Sequence, residues 1–237
     1  MPNYVRNVLI LDGEDADKVF SFIDGDDSGF DFNKVIPMPS SLAIESSSMM
    51  ELSYACEIYR NEKTVLDILQ YRLVKGETIP HLIKRLKKEH QVKDELGKVA
   101  YENKKLYGAT DWYGWCVNHW GTKWNAMEVS LGNYSIEFET AWSAPIPVIE
   151  KLAELFPTVT FTHTWADEDL GNNCGEVVYS NGNAVDWFYP ENRSSEAFEI
   201  YEKCWGKSPC IGTDDNGKKY YKGCENCNGC DAKENAV

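Results

Sequence analysis

What most limits the folds open to this chain is a change of hydrophobic period along it. Apolar residues recur at helical spacing through residues 40–108, and on either side of that block they alternate at every second position. A chain with this pattern builds a sheet from its two flanks and leaves the helical block as an insertion.

The flanks read as follows. Tyr4 to Leu11 is a short β-branched strand, and Asp12-Gly13 turns the chain into a helix over Asp15 to Ile23. Phe30 to Ile36 reads as a second strand, stopped by Pro37 and Pro39. Beyond Trp124, Met127, Val129 and Leu131 alternate, Gly132-Asn133 turns the chain, and Ile136, Phe138 and Thr140 return it. Pro145 and Pro147 lead a helix carrying Val148, Leu152 and Leu155. Thr158 to Trp165 is a further strand, Glu176 to Tyr189 a hairpin about Asn181-Gly182-Asn183, and Ser194 or Ser195 caps a last helix to Trp205.

Within the block, Leu42 to Tyr59 reads as helical. Three more apolar stripes follow: Val65 to Leu73, Ile79 to Leu86, and Leu96 to Leu106. The expectation is an α+β fold: an antiparallel sheet with helices on one face and a helical insertion after the second strand. Residues 1–39 and 109–190 form the discontinuous sheet domain, 40–108 the insertion, and 191–237 a C-terminal helix with a Cys-rich tail.

Charge follows the same divisions. Residues 1–62 carry 12 acids against 4 bases, residues 63–107 carry 6 against 11, and residues 108–202 carry 15 against 3. The net charge of −14 disfavours adhesion to double-stranded DNA or to a membrane surface. No apolar run approaches the ~20 residues that cross a bilayer, and Val8 to Leu11 is too short for a secretory core. The chain reads as cytoplasmic, where cysteines serve as core thiols or metal ligands.

Three stretches carry candidate chemistry. The first is "DWYGWCVNHWGTKWN" at 111–125, with four of the eight tryptophans. As a helix capped by Thr110 or Asp111 and stopped at Gly121, it places Trp112, Trp115, Cys116 and His119 on one face. Such a face covers a sheet as core, or stacks bases or sugars. Trp112, Trp115, His119, Trp120, Trp124 and Trp142 are the ligand-binding candidates. The second stretch is the tail, where Cys224, Cys227 and Cys230 form a Cys-x2-Cys-x2-Cys run. With Cys210 as fourth thiolate, or Cys204 in its place, it suits a structural zinc ion. An iron–sulfur cluster or a mobile reduced tail are the other readings. The third is Asp167-Glu168-Asp169, an acidic turn that reads as a solvated loop or a site for a hard cation. The Lys84 to Lys88 run is the wet face of its helix or a phosphate contact. No GxGxxG, P-loop, HExxH, GxSxG or kinase motif occurs, so no catalytic residue is assigned.

"MPNYVRNVLILDG", "FDFNKVIPMP", "WYGWCVNHWGTKWNA", "FETAWSAPIPVIEKL" and "ADEDLGNNCG", in this order, resemble the YubB-type ferredoxin-like proteins of phages and plasmids. The resemblance covers residues 1–190 and implies a ferredoxin-like sheet with an inserted helical region, carried on bacterial mobile elements. It implies no cluster and brings no catalytic residues. The function expected is that of a non-enzymatic accessory protein acting by binding a host protein, as an acidic mimic that occupies a basic groove. The alternatives are single-stranded nucleic-acid binding through the basic insertion and tryptophans, and a small-ligand or enzyme pocket around Trp112, Trp115, His119 and Trp142.

Overall fold

The computed structural model describes residues 3–24 and 29–223. The chain divides into two compact units, one made of residues up to Pro37 with those from His119 onward, the other of Met38–Asn118. In chain order the first flank contributes β1 (Tyr4–Asp12), α1 (Ala16–Ile23) and α2 (Phe32–Val35). The helical stretch follows as α3 (Ser48–Glu62), α4 (Asp67–Gln70), α5 (Ile79–Lys88), α6 (Asp94–Tyr107) and α7 (Trp112–His119). The second flank supplies β2 (Met127–Leu131), β3 (Ser135–Ala141), α8 (Ile146–Leu155), β4 (Thr160–Asp167), β5 (Gly175–Ser180), β6 (Asn183–Phe188) and α9 (Ser195–Trp205). A small hairpin closes the described chain, β7 (Ile211–Thr213) and β8 (Lys219–Tyr221).

Six strands form one antiparallel sheet in the order β2-β3-β1-β4-β5-β6. The first four, with α1 and α8 as crossovers, make the β-α-β-β-α-β arrangement of ferredoxin-like sheets. The β5–β6 hairpin extends it past β4. The helical unit therefore interrupts the first crossover, before the second strand.

That corrects two expectations. The segment 30–36 is not a strand. Asp31 Oδ1 accepts from the Asn33 amide at 3.0 Å and from Asn125 Nδ2 at 2.7 Å, while Asn125 Oδ1 takes the Phe32 N–H at 2.8 Å. Side chains thus satisfy backbone groups that a ladder would otherwise have used, and the segment closes into a single helical turn. Phe30 and Phe32 are buried edge-on to Phe138 at 5.1 and 6.0 Å, so their alternation reports a core contact and not a strand. Helices also lie on both faces of the sheet. Val5, Leu9 and Leu11 share one face with Phe138, Phe161 and His163, over which α8 packs across β4, β5 and β6. Val8 faces the other way, and α9 covers it through Ala197, Ile200 and Cys204 against Ala166. Trp205 Nε1 donates to the Ala166 carbonyl at 3.0 Å, and Lys203 pairs with Glu176 at 2.8 Å.

The helical unit has a core of its own. Leu52, Ala55, Cys56, Leu69, Leu82, Leu86 and Val92 form it, with Ile79 and Val65 against its edge. Ser47 caps α3 by accepting from the Met50 amide, so this helix begins later than the apolar stripe from Leu42 suggested. The stripe from Val65 to Leu73 yields only the single turn α4. Helices α3 and α6 touch where Gly97 lies against Ser53: a Cβ at Gly97 would sit 2.4 Å from the Ser53 carbonyl oxygen. Gly97→Ala gains about 1 kcal/mol of helix propensity but forces two backbones apart, an overpacking cost of roughly 1–3 kcal/mol. Urea unfolding followed by circular dichroism should show a net loss of stability in Gly97→Ala; an unchanged or higher midpoint would show that the two helices do not approach at this point.

Candidate functional site

The aromatic stretch is built on α7 and the loop that follows. Asp111 Oδ1 accepts from the Tyr113 and Gly114 amides at 2.9 and 3.2 Å, which starts the helix. Gly121, at φ 77°, ends the turn beyond it, and a Cβ there would meet the Pro147 ring at 2.8 Å. Trp115 and Cys116 are buried, and burial pushes the Cys116 thiol up to about 11, so it stays protonated. Trp120 is also buried, donating from Nε1 to the Ile36 carbonyl at 2.9 Å and packing edge-on to Phe32. Trp112, in edge contact with Tyr113 at 5.9 Å, and His119 are half-buried.

Trp124 and Trp142, eighteen positions apart, meet around a residue that the sequence reading passed over. Lys123 Nζ lies 4.4 Å from the centroid of the Trp124 ring and 4.9 Å from that of Trp142. The chain's own ammonium therefore occupies ring faces that a base or sugar would need. Trp142 sits at φ 70°, an uncommon conformation for a bulky residue, and its backbone is held from both sides. Its N–H donates to the Asn3 carbonyl at 2.9 Å and its carbonyl accepts from Asn173 Nδ2 at 3.2 Å. The Thr122 hydroxyl donates to Ala141 at 2.9 Å, tying the loop to the end of β3.

The acidic turn is used by the fold. Asp167 is buried and accepts from Asn3 Nδ2 at 3.2 Å and from the Asp169 amide at 2.9 Å, while Asp169 accepts from Asn172 at 2.7 Å. Among the described residues, no three His, Cys, Asp or Glu side chains gather to hold a metal ion. Cys204 is buried between α9 and the sheet, and Cys210 is buried at the foot of the β7–β8 hairpin. Cys224, Cys227 and Cys230 lie outside the described residues. In the helical unit, Arg60 pairs with Glu57 and Asp94, Arg85 with Glu77, Lys87 with Asp94 and Lys98 with Glu95. These four cations face acids of their own unit, which lowers the field they offer to a phosphate.

Two other features carry no sequence signal of function. One is a polar file inside the sheet. Asn7 Oδ1, which can only accept, receives a hydrogen bond from His163 Nε2–H at 3.0 Å, and Asn7 Nδ2 donates to Thr140 Oγ1 at 3.0 Å and to the Val5 carbonyl at 2.9 Å. Among the described residues, the His163 Nδ1 acceptor then has no hydrogen-bond partner, and neither has the buried Tyr179 hydroxyl. The other feature is the last strand of the sheet. Every residue of β6 is exposed, and Trp187, Phe188 and Tyr189 follow one another with 63%, 48% and 59% of their surface open. Among the described residues no strand pairs with the outer edge of β6. Tyr189 stands edge-on to Trp165 at 5.7 Å, and Trp165 lies against His163, so this edge and the polar file join through one chain of rings.

With the sheet and its exposed edge in view, the comparisons with known proteins can be placed. Residues 119–206 match the family model of the ferredoxin-like domain in Api92-like protein. That span contains β2 to β6 and α9, hence both the Lys123 cluster and the aromatic edge. Among solved structures, the chain is similar to the crystal structure of the protein Api92 from Yersinia pseudotuberculosis. The identity is 10% over 81% of this chain and 99% of that one, with a TM-score of 0.41. No curated protein matches the chain. No helix among the described residues is long and apolar enough to cross a membrane.

Burial holds the His163 imidazole neutral, pulling its pKa down from 6.5 to about 3. The folded value lies below the unfolded one, so between these limits the unfolded chain binds a proton that the folded chain refuses. Stability is therefore full above pH 6.5 and falls as pH drops towards 3, by up to about 1.4 kcal/mol per pH unit from this group. In acid titrations followed by tryptophan fluorescence, His163→Gln should show a shallower loss of stability than the parent over that window. Parallel curves would exclude His163 as the origin of the acid sensitivity.

Proposed function

We propose that this protein is a non-catalytic binding module that takes up an extended, basic segment of another protein along the outer edge of β6. The observation that carries this reading is the open edge itself, with three consecutive aromatic side chains exposed beside it. Unpaired N–H and C=O groups accept a further strand, and large rings on alternating faces supply the contact area that anchors it. Tryptophan and tyrosine are the side chains that most often dominate binding energy at interfaces.

Charge chooses the partner. Residues 108–202 carry a net −12, Asp186 lies within β6, and Lys151 and Arg193 already face Glu154 and Asp169. A basic strand is attracted to this edge and a nucleic-acid backbone is repelled from it. Nucleic-acid binding through the helical unit has less support, because Arg60 and Arg85 are engaged with neighbouring carboxylates. The resemblance to phage and plasmid proteins extends the reading to an accessory role, in which the acidic edge occupies a basic surface of a host factor.

A selection from a random linear peptide library, read at low and physiological salt, tests this. Enriched peptides should be basic with alternating apolar residues. Trp187→Lys should weaken them by about 2 kcal/mol or more, roughly thirtyfold. Failure to enrich any peptide, or peptides that bind Trp187→Lys as tightly as the parent, would overturn the proposal.

A further inference from the structure

The register of β5 and β6 sorts the side chains of the open edge onto the two faces of the sheet. Val177 stands opposite Trp187, whereas Val178 stands opposite Asp186 and Glu176 opposite Phe188. Val177 also pairs with His163, so Trp187 belongs to the face that α8 covers. Glu176 bonds to Thr164 and to Lys203 of α9, so Asp186 and Phe188 belong to the other face.

The two faces differ in chemistry. On the α8 side the edge is a wall of rings. A Cβ at Gly175 would lie 2.2 Å from the Trp165 ring, so the glycine leaves room for that ring, which meets Tyr189 at 5.7 Å. Val177, opposite Trp187, is buried. On the α9 side the edge carries two acids. Glu176 is engaged, accepting from Thr164 at 3.0 Å and pairing with Lys203 at 2.8 Å. Asp186 is exposed, and among the described residues no cation pairs with its carboxylate. Phe188 follows two positions later on the same face, about 7 Å along the strand, within reach of one long basic side chain seated at Asp186.

A strand added to an edge places each side chain on the same face as the residue it opposes, and opposite charges in such a pair attract. We infer that Asp186 selects the strand that β6 takes up. The residue opposite Asp186, on the α9 face, is lysine or arginine, and its neighbours in sequence, on the α8 face, are apolar and cover Trp187. This inference rests on the peptide-binding reading and adds to it which face reads charge and which residue does so.

The probe is an acetylated nonapeptide alternating arginine with valine, compared with the same peptide carrying glutamine in place of arginine. Binding to the full chain is followed by fluorescence anisotropy at physiological salt, where charges more than about 8 Å apart are largely screened. The parent should prefer the arginine peptide, and Asp186→Asn should cut that preference roughly fivefold. Glu150→Gln, which removes an exposed acid of α8, should leave the preference nearly unchanged. Circular dichroism of each variant separates a lost contact from a lost fold. Binding that Trp187→Lys abolishes, but that responds equally to Asp186→Asn and Glu150→Gln or to neither, would overturn the role of Asp186 and leave the edge reading standing. A parent that binds neither peptide would overturn both.

Discussion

Strand β1 pairs with β3 on one side and β4 on the other, and so lies in the middle of the ferredoxin-like part of the sheet. A central strand exposes side chains on two faces, and both need cover. Val5, Leu9 and Leu11 are covered with the help of α8, whereas Val8 and Arg6 face α9. Arg6 reaches Glu137 and Glu139 and lies over the Trp205 ring at 5.7 Å, so the charged residue of β1 is held by the helix that buries its neighbours. The rest of this unit depends on that double cover. It explains why the chain continues past the four core strands to α9.

The same burial explains the polar file. Asn7 lies on the apolar face of β1, opposite Trp165, and its amide is satisfied by Thr140, His163 and its own strand. A buried amide costs stability unless each group finds a partner, so Thr140 and His163 are the complement that Asn7 requires. The price is the unpartnered Nδ1 of His163. The file also fixes register, because a one-residue slip of β4 would turn His163 away from Asn7 and into the opposite face.

Protection is uneven at the two ends of the sheet. Strand β2 pairs irregularly with β3, its register shifting between Met127 and Ser130. At the other end a bulge at Val185 twists β6, but the strand then runs on into Trp187, Phe188 and Tyr189 without cover. An exposed aromatic edge is an aggregation hazard unless something occupies it, and the strong negative charge around it keeps copies of an acidic chain apart. The negative charge around this proposed binding edge therefore also selects against a second copy.

Local pattern was enough to read β1, α1, the β2–β3 and β5–β6 hairpins, α8 and α9, because period and turn residues report backbone geometry within a few positions. The Gly132-Asn133 and Asn181-Gly182 turns and the Ser194 cap are of this kind. Pattern failed at Phe30 to Ile36, where alternating phenylalanines served a core contact, and at α9, whose apolar stripe says that it is covered but not by which face. It singled out Trp124 and Trp142 but not Lys123 between them, and it ranked the buried Trp115 and Trp120 beside them. By itself, then, the sequence determined which segments are strands and helices in most of the chain, the acidic character of the sheet unit and the spacing of the tail cysteines. Only the tertiary structure decided which strand stands at the edge, which rings remain exposed and that Cys204 is buried beneath α9. Those outcomes rest on pairings between residues far apart in the chain, such as Val5 with Asp167, whose energies no local period records.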